Sequence, residues 1–231
     1  MNKCLLLIFV LLITANNSFA WNSIGHKKLV ENVYYSMPRE LQEKLNLTLM
    51  KEGAVAPDLV FHDVVKHHYP YSKDLAYKWL SNISNISEFA FNFGVASHYI
   101  SDSFVAPHYI SHEDPKLHSE FESQVNYYSV KTKCSDYNYT LDDLAIGAEN
   151  KKDWEPWLKT KDKSIPQKEF EEAQKFVYTF AIKKLNYSCT DNSLVFEEKP
   201  LLNFNRQEQT IAYILFLGLI FIWGLIFLRK K

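Results

Sequence analysis

The spacing of apolar residues predicts helices through most of the chain. Several segments carry an apolar residue at every third or fourth position, which is the period of one helix face. These predicted helices cover residues 24–36, 73–80, 87–103, 116–130 and 165–185. Pro38 follows the first of them and begins a further predicted helix over residues 39–50. Because strand-type alternation is scarce, the pattern predicts an all-α domain.

Two segments depart from this helical pattern. Residues 131–163 are polar and contain stretches rich in Asp, Lys and Trp, so we expect a long irregular connection there. Residues 186–208 contain Pro200 and several charges but no clear helical stripe. We interpret this second segment as a short stalk that follows the domain.

The N-terminal segment is typical of a secretory signal. Residues 4–15 form an apolar run after Lys3, and Ser18-Phe19-Ala20 places small residues where a signal peptidase requires them. We therefore predict a signal peptide over residues 1–20 and a mature chain that begins at Trp21. A retained membrane anchor is the alternative interpretation of this segment.

A second apolar segment lies near the C-terminus. Residues 211–228 carry no charge, and as a helix they would span about 27 Å, close to the thickness of the bilayer's hydrocarbon core. We predict a transmembrane helix over residues 209–228. The basic tail 229–231 favours the cytoplasmic side, so the domain formed by residues 21–185 would face outward.

Composition and charge narrow the class of protein. The chain has 6 Gly, 8 Pro, 3 Cys and 47% hydrophobic residues, which excludes collagen-like, disordered and disulfide-scaffold proteins. The two end segments hold Lys3, Arg229, Lys230 and Lys231 and no acidic residue, so the middle of the chain has a net charge of −5. That charge argues against a general nucleic-acid binder, which would carry a basic face.

Cysteine and asparagine usage agrees with export. Cys4 would leave with the signal peptide, and Cys134 and Cys189 remain as an even pair. In an oxidising compartment we expect one disulfide between them, with two free thiols as the alternative. Sequons for N-glycosylation begin at Asn46, Asn82, Asn85, Asn138 and Asn186.

The histidines carry the candidate chemistry, and all 8 lie between residues 26 and 118. His98 and Asp102 are four positions apart on one predicted helix, so both side chains can reach one point in space. His118 and Glu122 repeat this spacing on the next predicted helix, and His108 lies between the pairs. One such pair is most often a solvated surface contact. Two pairs on apolar helices predict a zinc site, because a buried carboxylate needs compensation and zinc accepts these ligands.

An ordered series of motifs then points to a family. The motifs are Trp21-Asn-Ser-Ile-Gly-His26, Ala54-Val-Ala-Pro-Asp58, His68-Tyr69 and His98-x3-Asp102-x5-His108-x9-His118-x3-Glu122. From about residue 21 to residue 125 the chain resembles the zinc-dependent phospholipase C and P1/S1 nuclease superfamily. The resemblance implies a helical domain with three zinc ions in one cleft. It also implies that the mature N-terminal Trp binds metal through its own amine and carbonyl.

The resemblance assigns zinc ligands residue by residue. It implies that one zinc ion is bound by Trp21, His26 and Asp102, the second by Asp58, His68, His98 and a bridging Asp102, and the third by His108, His118 and Glu122. The choice of His68 over its neighbour His67 depends on the aromatic Tyr69 that follows. His62, Asp63 and His112 receive no role, and we interpret them as solvated loop residues.

The same resemblance implies hydrolysis of a phosphodiester by metal-activated water, with Asp58 as the general base. The leading hypothesis is a membrane-anchored, outward-facing zinc phosphodiesterase that acts on phospholipid-type substrates. One alternative is a P1/S1-type nuclease acting on single-stranded nucleic acid. The other is a non-catalytic, zinc-stabilised binding domain. The negative net charge and the predicted anchor favour lipid over nucleic acid.

Overall fold

The fold is mostly helical, as the apolar spacing predicted. The computed structural model describes residues 23–63, 67–133, 139–190 and 193–196. The α-helices are α1 (Ser23–Ser36), α2 (Arg39–Gln42), α3 (Leu47–Leu59), α4 (Tyr71–Ser81), α5 (Ile86–Asp102), α6 (Pro115–Ser123), α7 (Trp154–Thr160) and α8 (Ser164–Lys184). Two 3-10 helices cover Ala106–Tyr109 and Leu141–Asp153. Strands β1 (Tyr187–Thr190) and β2 (Ser193–Phe196) form an antiparallel hairpin.

Helix α5 lies at the centre of the domain, in contact with α1, α3, α4 and α8. Its start is fixed locally, because the Asn85 side chain accepts a hydrogen bond from the Glu88 amide and the Glu88 carboxylate accepts one from the Ser84 amide. The buried rings of Phe89 and Phe93 stack at 4.8 Å on its first half. The apolar first half of α5 therefore anchors the helix, and its last turn carries polar side chains into the interior.

Helices α3 and α5 approach each other more closely than ordinary side chains allow. A Cβ atom added to Gly53 would overlap the carbonyl oxygen of Phe91, and one added to Gly94 would overlap that of Met50. Both positions therefore require glycine. This contact brings the backbone of α3 within hydrogen-bond distance of α5, where His98 Nδ1 lies 2.9 Å from the carbonyl oxygen of Ala54.

The structure differs from the predicted elements in the segments with weak periodicity. The predicted helix over residues 39–50 is wrong, because α2 ends at Gln42 and α3 begins at Leu47 after the N-cap Asn46. The predicted irregular connection over residues 131–163 instead includes a 3-10 helix and α7. Trp157 of α7 is fully buried, and its ring lies edge-on to Phe121 at 5.0 Å. Helix α6 is also shorter than the predicted 116–130.

Several predictions concern residues outside the described ranges. The predicted signal peptide, Trp21 and the predicted transmembrane helix are all outside them, as is Cys134, so the proposed Cys134–Cys189 pairing stays a prediction. The predicted stalk begins with the β1–β2 hairpin rather than with coil. Within the described part of the chain, every helix is too short or too polar to cross a bilayer.

The glycine contact between α3 and α5 gives a test of the fold. We expect Gly94→Ala to lower the free energy of unfolding by about 1–3 kcal/mol, because the added methyl group overlaps the α3 backbone. Asn92→Ala on the same helix removes one exposed hydrogen bond and should change the free energy of unfolding by about 0.5 kcal/mol or less. Urea denaturation followed by circular dichroism measures both changes. Equal stabilities of the two variants would show that the helices can separate without cost.

Candidate metal centre

The last turns of α3 and α5 meet helix α1 at a cluster of buried polar side chains. His26 lies on α1, Asp58 on α3, and His98 and Asp102 on α5. Each of these four side chains has no more than 1% of its surface exposed. Their positions follow from the helix geometry, since residues four apart on α5 share one face. The helices therefore bring two histidines and two carboxylates to one point in the core.

The first group that could hold a metal ion consists of His26, His98 and Asp102, whose ligand atoms lie within 4.8 Å of one another. His26 Nε2 is 3.4 Å from Asp102 Oδ1, and His98 Nε2 is 3.2 Å from Asp102 Oδ2. The two imidazole rings stack with their centroids 3.9 Å apart. These contacts agree with the predicted pairing of His26 and Asp102.

The second group consists of Asp58, His67 and His98. His98 Nε2 is 3.5 Å from Asp58 Oδ1, and His67 Nδ1 is 3.7 Å from the same oxygen. His67 Nδ1 also lies 2.7 Å from Asp102 Oδ2. Because the two oxygens of Asp102 face different histidines, this carboxylate can serve two adjacent ions.

At this position the structure differs from the sequence prediction, which had chosen His68. The ring of His68 is only half-buried and lies edge-on to Tyr71 and Tyr109, at 5.9 and 5.5 Å. His67 is buried and turns toward Asp58 instead. Adjacent side chains in this turn point in different directions, so the sequence pattern of two neighbouring histidines could not decide between them.

The third group consists of His108, His118 and Glu122. His118 Nε2 is 2.8 Å from Glu122 Oε1, and His108 Nε2 is 3.6 Å from the same oxygen. Glu122 is fully buried, whereas the two histidines are partly exposed. This group is therefore the one nearest to solvent, and its membership is the one that the sequence predicted.

The 3-10 helix that carries His108 is held by contacts from distant parts of the chain. Asn150 Nδ2 donates to the carbonyl oxygen of Phe104 at 2.8 Å, and the amide of Ala106 donates to Glu169 Oε2 at 3.0 Å. Gly147 packs so closely on Ser103 that a Cβ atom would overlap its carbonyl oxygen. The second 3-10 helix and α8 thus fix the backbone that carries His108. The sequence did not predict this role for either element.

Each histidine of the three groups also has a partner for its second ring nitrogen. One ring nitrogen faces the other ligand atoms of its group. The second ring nitrogen lies within hydrogen-bond distance of an oxygen that does not belong to a ligand side chain. These oxygens are Ser101 Oγ for His26, Asp63 O for His67, Ala54 O for His98, Asp102 O for His108 and Glu113 Oε1 for His118. Such partners fix the tautomer and orient the ring, as they do for metal-bound histidines in general.

Two of these partners, Asp63 and Glu113, make contacts that the sequence did not predict. Asp63 was interpreted as a solvated loop residue, but it is partly buried and its Oδ2 accepts a hydrogen bond from Tyr99 at 3.1 Å. Glu113 lies 3.0 Å from His118 Nδ1, although it precedes α6 and shares no helical spacing with that histidine. His62 and His112 are exposed, as predicted.

The protonation equilibria show how strongly the charges in the cluster interact. Burial alone would lower the pKa of His98, but the carboxylates of Asp102 and Asp58 raise it to about 9. Burial would raise the pKa of Asp102, yet His98 and His26 hold it well below its usual value. For His118, burial is likewise outweighed, and Glu122 raises the pKa to about 9. The buried carboxylates thus demand positive charge close to them.

The donor set fits zinc. Several buried ligand atoms have no hydrogen-bond partner among the described residues: His26 Nε2, Asp58 Oδ1 and Oδ2, Asp102 Oδ1, His108 Nε2 and Glu122 Oε2. Buried polar atoms without partners are costly, and coordination of a cation satisfies them. Imidazole nitrogen and carboxylate oxygen without cysteine are ligands that zinc accepts. All three groups therefore have the chemistry of zinc sites.

The choice between His67 and His68 can be tested by metal content. We expect His67→Ala to lose about one equivalent of zinc, because its ring completes the group with Asp58 and His98. His68→Ala removes an equal ring from the adjacent position and should keep the full content. Mass spectrometry of the purified variants measures the zinc. Loss of zinc from His68→Ala alone would restore the sequence-based assignment.

Glu113 gives a second test. We expect Glu113→Ala to weaken zinc binding by about 10- to 100-fold at the group that contains His118, because the ring loses the acceptor that orients it. Glu120→Ala is the matched control, since this exposed carboxylate pairs with Lys161 at 2.8 Å instead. Competition with a chelator measures the affinity. Equal affinities of the two variants would remove Glu113 from the centre.

A known protein family matches most of the chain. The family model for zinc-dependent phospholipase C matches residues 25–184, which include all three described groups. No curated protein and no solved structure matches the chain. The family match covers more than half of the sequence and agrees with the zinc chemistry of the buried groups. The chain belongs to the zinc-dependent phospholipase C family and is a zinc-dependent phosphodiesterase.

Proposed function

We propose that the protein is an outward-facing, membrane-anchored enzyme that hydrolyses phospholipid-type phosphodiesters. The observation that carries the proposal is the set of three adjoining ligand groups with unpartnered buried atoms, in a chain of the phospholipase C family. Hydrolysis of a phospholipid by this chemistry yields diacylglycerol and a phosphorylated headgroup.

The proposed enzyme holds three zinc ions. His26 and Asp102 would hold the first together with Trp21, whose free amine would become available when the predicted signal peptide is removed. Asp58, His67, His98 and Asp102 would hold the second ion, and His108, His118 and Glu122 would hold the third. When bound, zinc lowers the pKa of a coordinated water and neutralises the charge that develops on the phosphoryl oxygens.

Asp58 is the proposed general base. Burial raises its pKa to about 6, although His98 and His67 oppose this shift. The Asp58 oxygen that does not hold zinc would be placed to accept the proton of the attacking water and release it again. Both of its oxygens lack a hydrogen-bond partner among the described residues. Asp58 can therefore combine the role of zinc ligand with that of proton acceptor.

The predicted membrane anchor supports a lipid substrate. Residues 209–228 would hold the domain at the outer surface of the membrane, where phospholipid headgroups are present at high local concentration. The net charge of −5 in the middle of the chain disfavours a polynucleotide, which repels an acidic surface. Both features come from the sequence, and together they favour the lipid-hydrolysing interpretation over the nuclease interpretation.

A substrate panel tests the proposal. We expect the full-length protein, loaded with zinc, to release diacylglycerol from phospholipid vesicles of at least one headgroup and to leave single-stranded DNA intact. Asp102→Asn is the matched inactive control, because it removes the charge that faces two ligand groups. A fall in activity of about 100-fold or more is expected for this variant.

The panel also separates the alternatives. Rapid degradation of single-stranded DNA with no lipid hydrolysis would favour the nuclease interpretation. Full zinc content without hydrolysis of any phosphodiester in the panel would favour a zinc-stabilised binding domain. Each result contradicts the proposed substrate in a different way, because metal content and the two activities are measured on the same preparation.

A further inference from the structure

An exposed apolar turn directly follows the zinc ligand Asp58. Leu59, Val60 and Phe61 are three consecutive large apolar residues, and their exposed fractions are 45%, 64% and 41%. The other large apolar residues with high exposure in the described part of the chain, such as Tyr127 and Ile146, are isolated in the sequence. Isolated exposed apolar residues are ordinary, whereas a continuous group adjoining a site indicates an interaction surface.

The turn formed by residues 59–61 is held in place by the surrounding structure. The amides of Val60 and Phe61 both donate to the carbonyl oxygen of Ala56, at 2.9 Å. The ring of Phe61 stacks on Trp79 of α4 with a centroid distance of 5.5 Å and an interplanar angle of 6°. The turn that carries the apolar side chains is therefore already held in one conformation. Binding through these side chains would cost little further backbone conformational entropy.

Residues at both ends of the turn contact or belong to the metal centre. Asp58 immediately precedes it, and Asp63 follows it with a carbonyl oxygen that lies within hydrogen-bond distance of His67. The Asp63 amide donates to the carbonyl oxygen of Pro57 at 3.0 Å, which closes the turn. Anything that docks on residues 59–61 is consequently brought beside the second ligand group.

The chemistry of the turn favours a lipid surface as its occupant. Residues 59–61 carry no charge or hydrogen-bonding side chain, so they offer nothing for recognition of a charged or polar partner. A stable protein interface buries about 800 Å² on each partner, far more than three side chains supply. Insertion of a few apolar side chains into the boundary between headgroups and acyl chains needs no such area.

We propose that Leu59, Val60 and Phe61 form a membrane-contacting turn that inserts into the outer surface of a phospholipid bilayer and orients the metal centre toward it. This inference rests on the proposed function, because the substrate there is a phospholipid. It adds a defined contact between the catalytic domain and the bilayer, distinct from the predicted transmembrane helix. The predicted helix holds the protein at the membrane, and the turn sets which face of the domain meets the lipid.

Site-directed labelling tests the contact directly. Val60→Cys in the full-length protein is labelled with an environment-sensitive fluorophore and reconstituted with phosphatidylcholine vesicles. Ile146→Cys is the matched control, because Ile146 is 51% exposed and lies on the second 3-10 helix. Both variants carry the same predicted anchor. The fluorescence of the unsubstituted protein after the same labelling reaction gives the signal of the native cysteines, which is subtracted. We expect the emission of the fluorophore at position 60 to shift to the blue and to be quenched by nitroxide-labelled lipid. The fluorophore at position 146 should show neither change.

Hydrolysis measurements then separate this inference from the proposed function. For Val60→Ser, the ratio of the rate on phosphatidylcholine vesicles to the rate on dispersed dihexanoyl-phosphatidylcholine should fall by about tenfold, the effect of one inserted side chain. The ratio for Ile146→Ser should equal that of the unsubstituted protein. An unchanged ratio together with a water-exposed label at position 60 would overturn the membrane-contacting turn and leave the proposed function intact. Absence of hydrolysis on every lipid would overturn the proposed function, while the label still reports on the turn.

Discussion

Burial of negative charge is the constraint on which this structure depends. Asp58, Asp102 and Glu122 are almost completely removed from solvent, and several of their oxygens have no hydrogen-bond donor among the described residues. Such charges are tolerated only beside positive charge. His98 and His118 supply it by holding protons to a pKa of about 9, and a divalent cation competes with those protons for the same carboxylates. The electrostatics of the core therefore favours a bound cation at these groups.

The surrounding helices serve to bring these charges together. The contact of Gly53 with α5 sets how far Asp58 lies from His98, so the backbone packing of two helices determines the geometry of one ligand group. The turn that carries His108 depends in the same way on Asn150 and Glu169, which are distant in the sequence. The core is thus built from apolar packing at one end of α5 and from paired charges at the other.

The two deeper groups and the third group differ in their access to solvent. His26, His98 and Asp102 are enclosed, whereas His108 and His118 are partly exposed. A molecule in solvent therefore reaches the third group more directly than the two buried groups. Enclosure strengthens electrostatic interactions, which benefits a reaction whose transition state gains negative charge.

The sequence by itself determined the helices with strong apolar periodicity and the pairs His98–Asp102 and His118–Glu122, because helical spacing is a local property. It also indicated the family through ordered motifs. Only the tertiary structure placed His67, and not His68, beside Asp58 and placed Glu113 beside His118, because those contacts join segments without a common period. Helix α7 and residues 51–59 of α3 were likewise missed. The burial of Trp157 against Phe121, a contact between distant segments, stabilises α7.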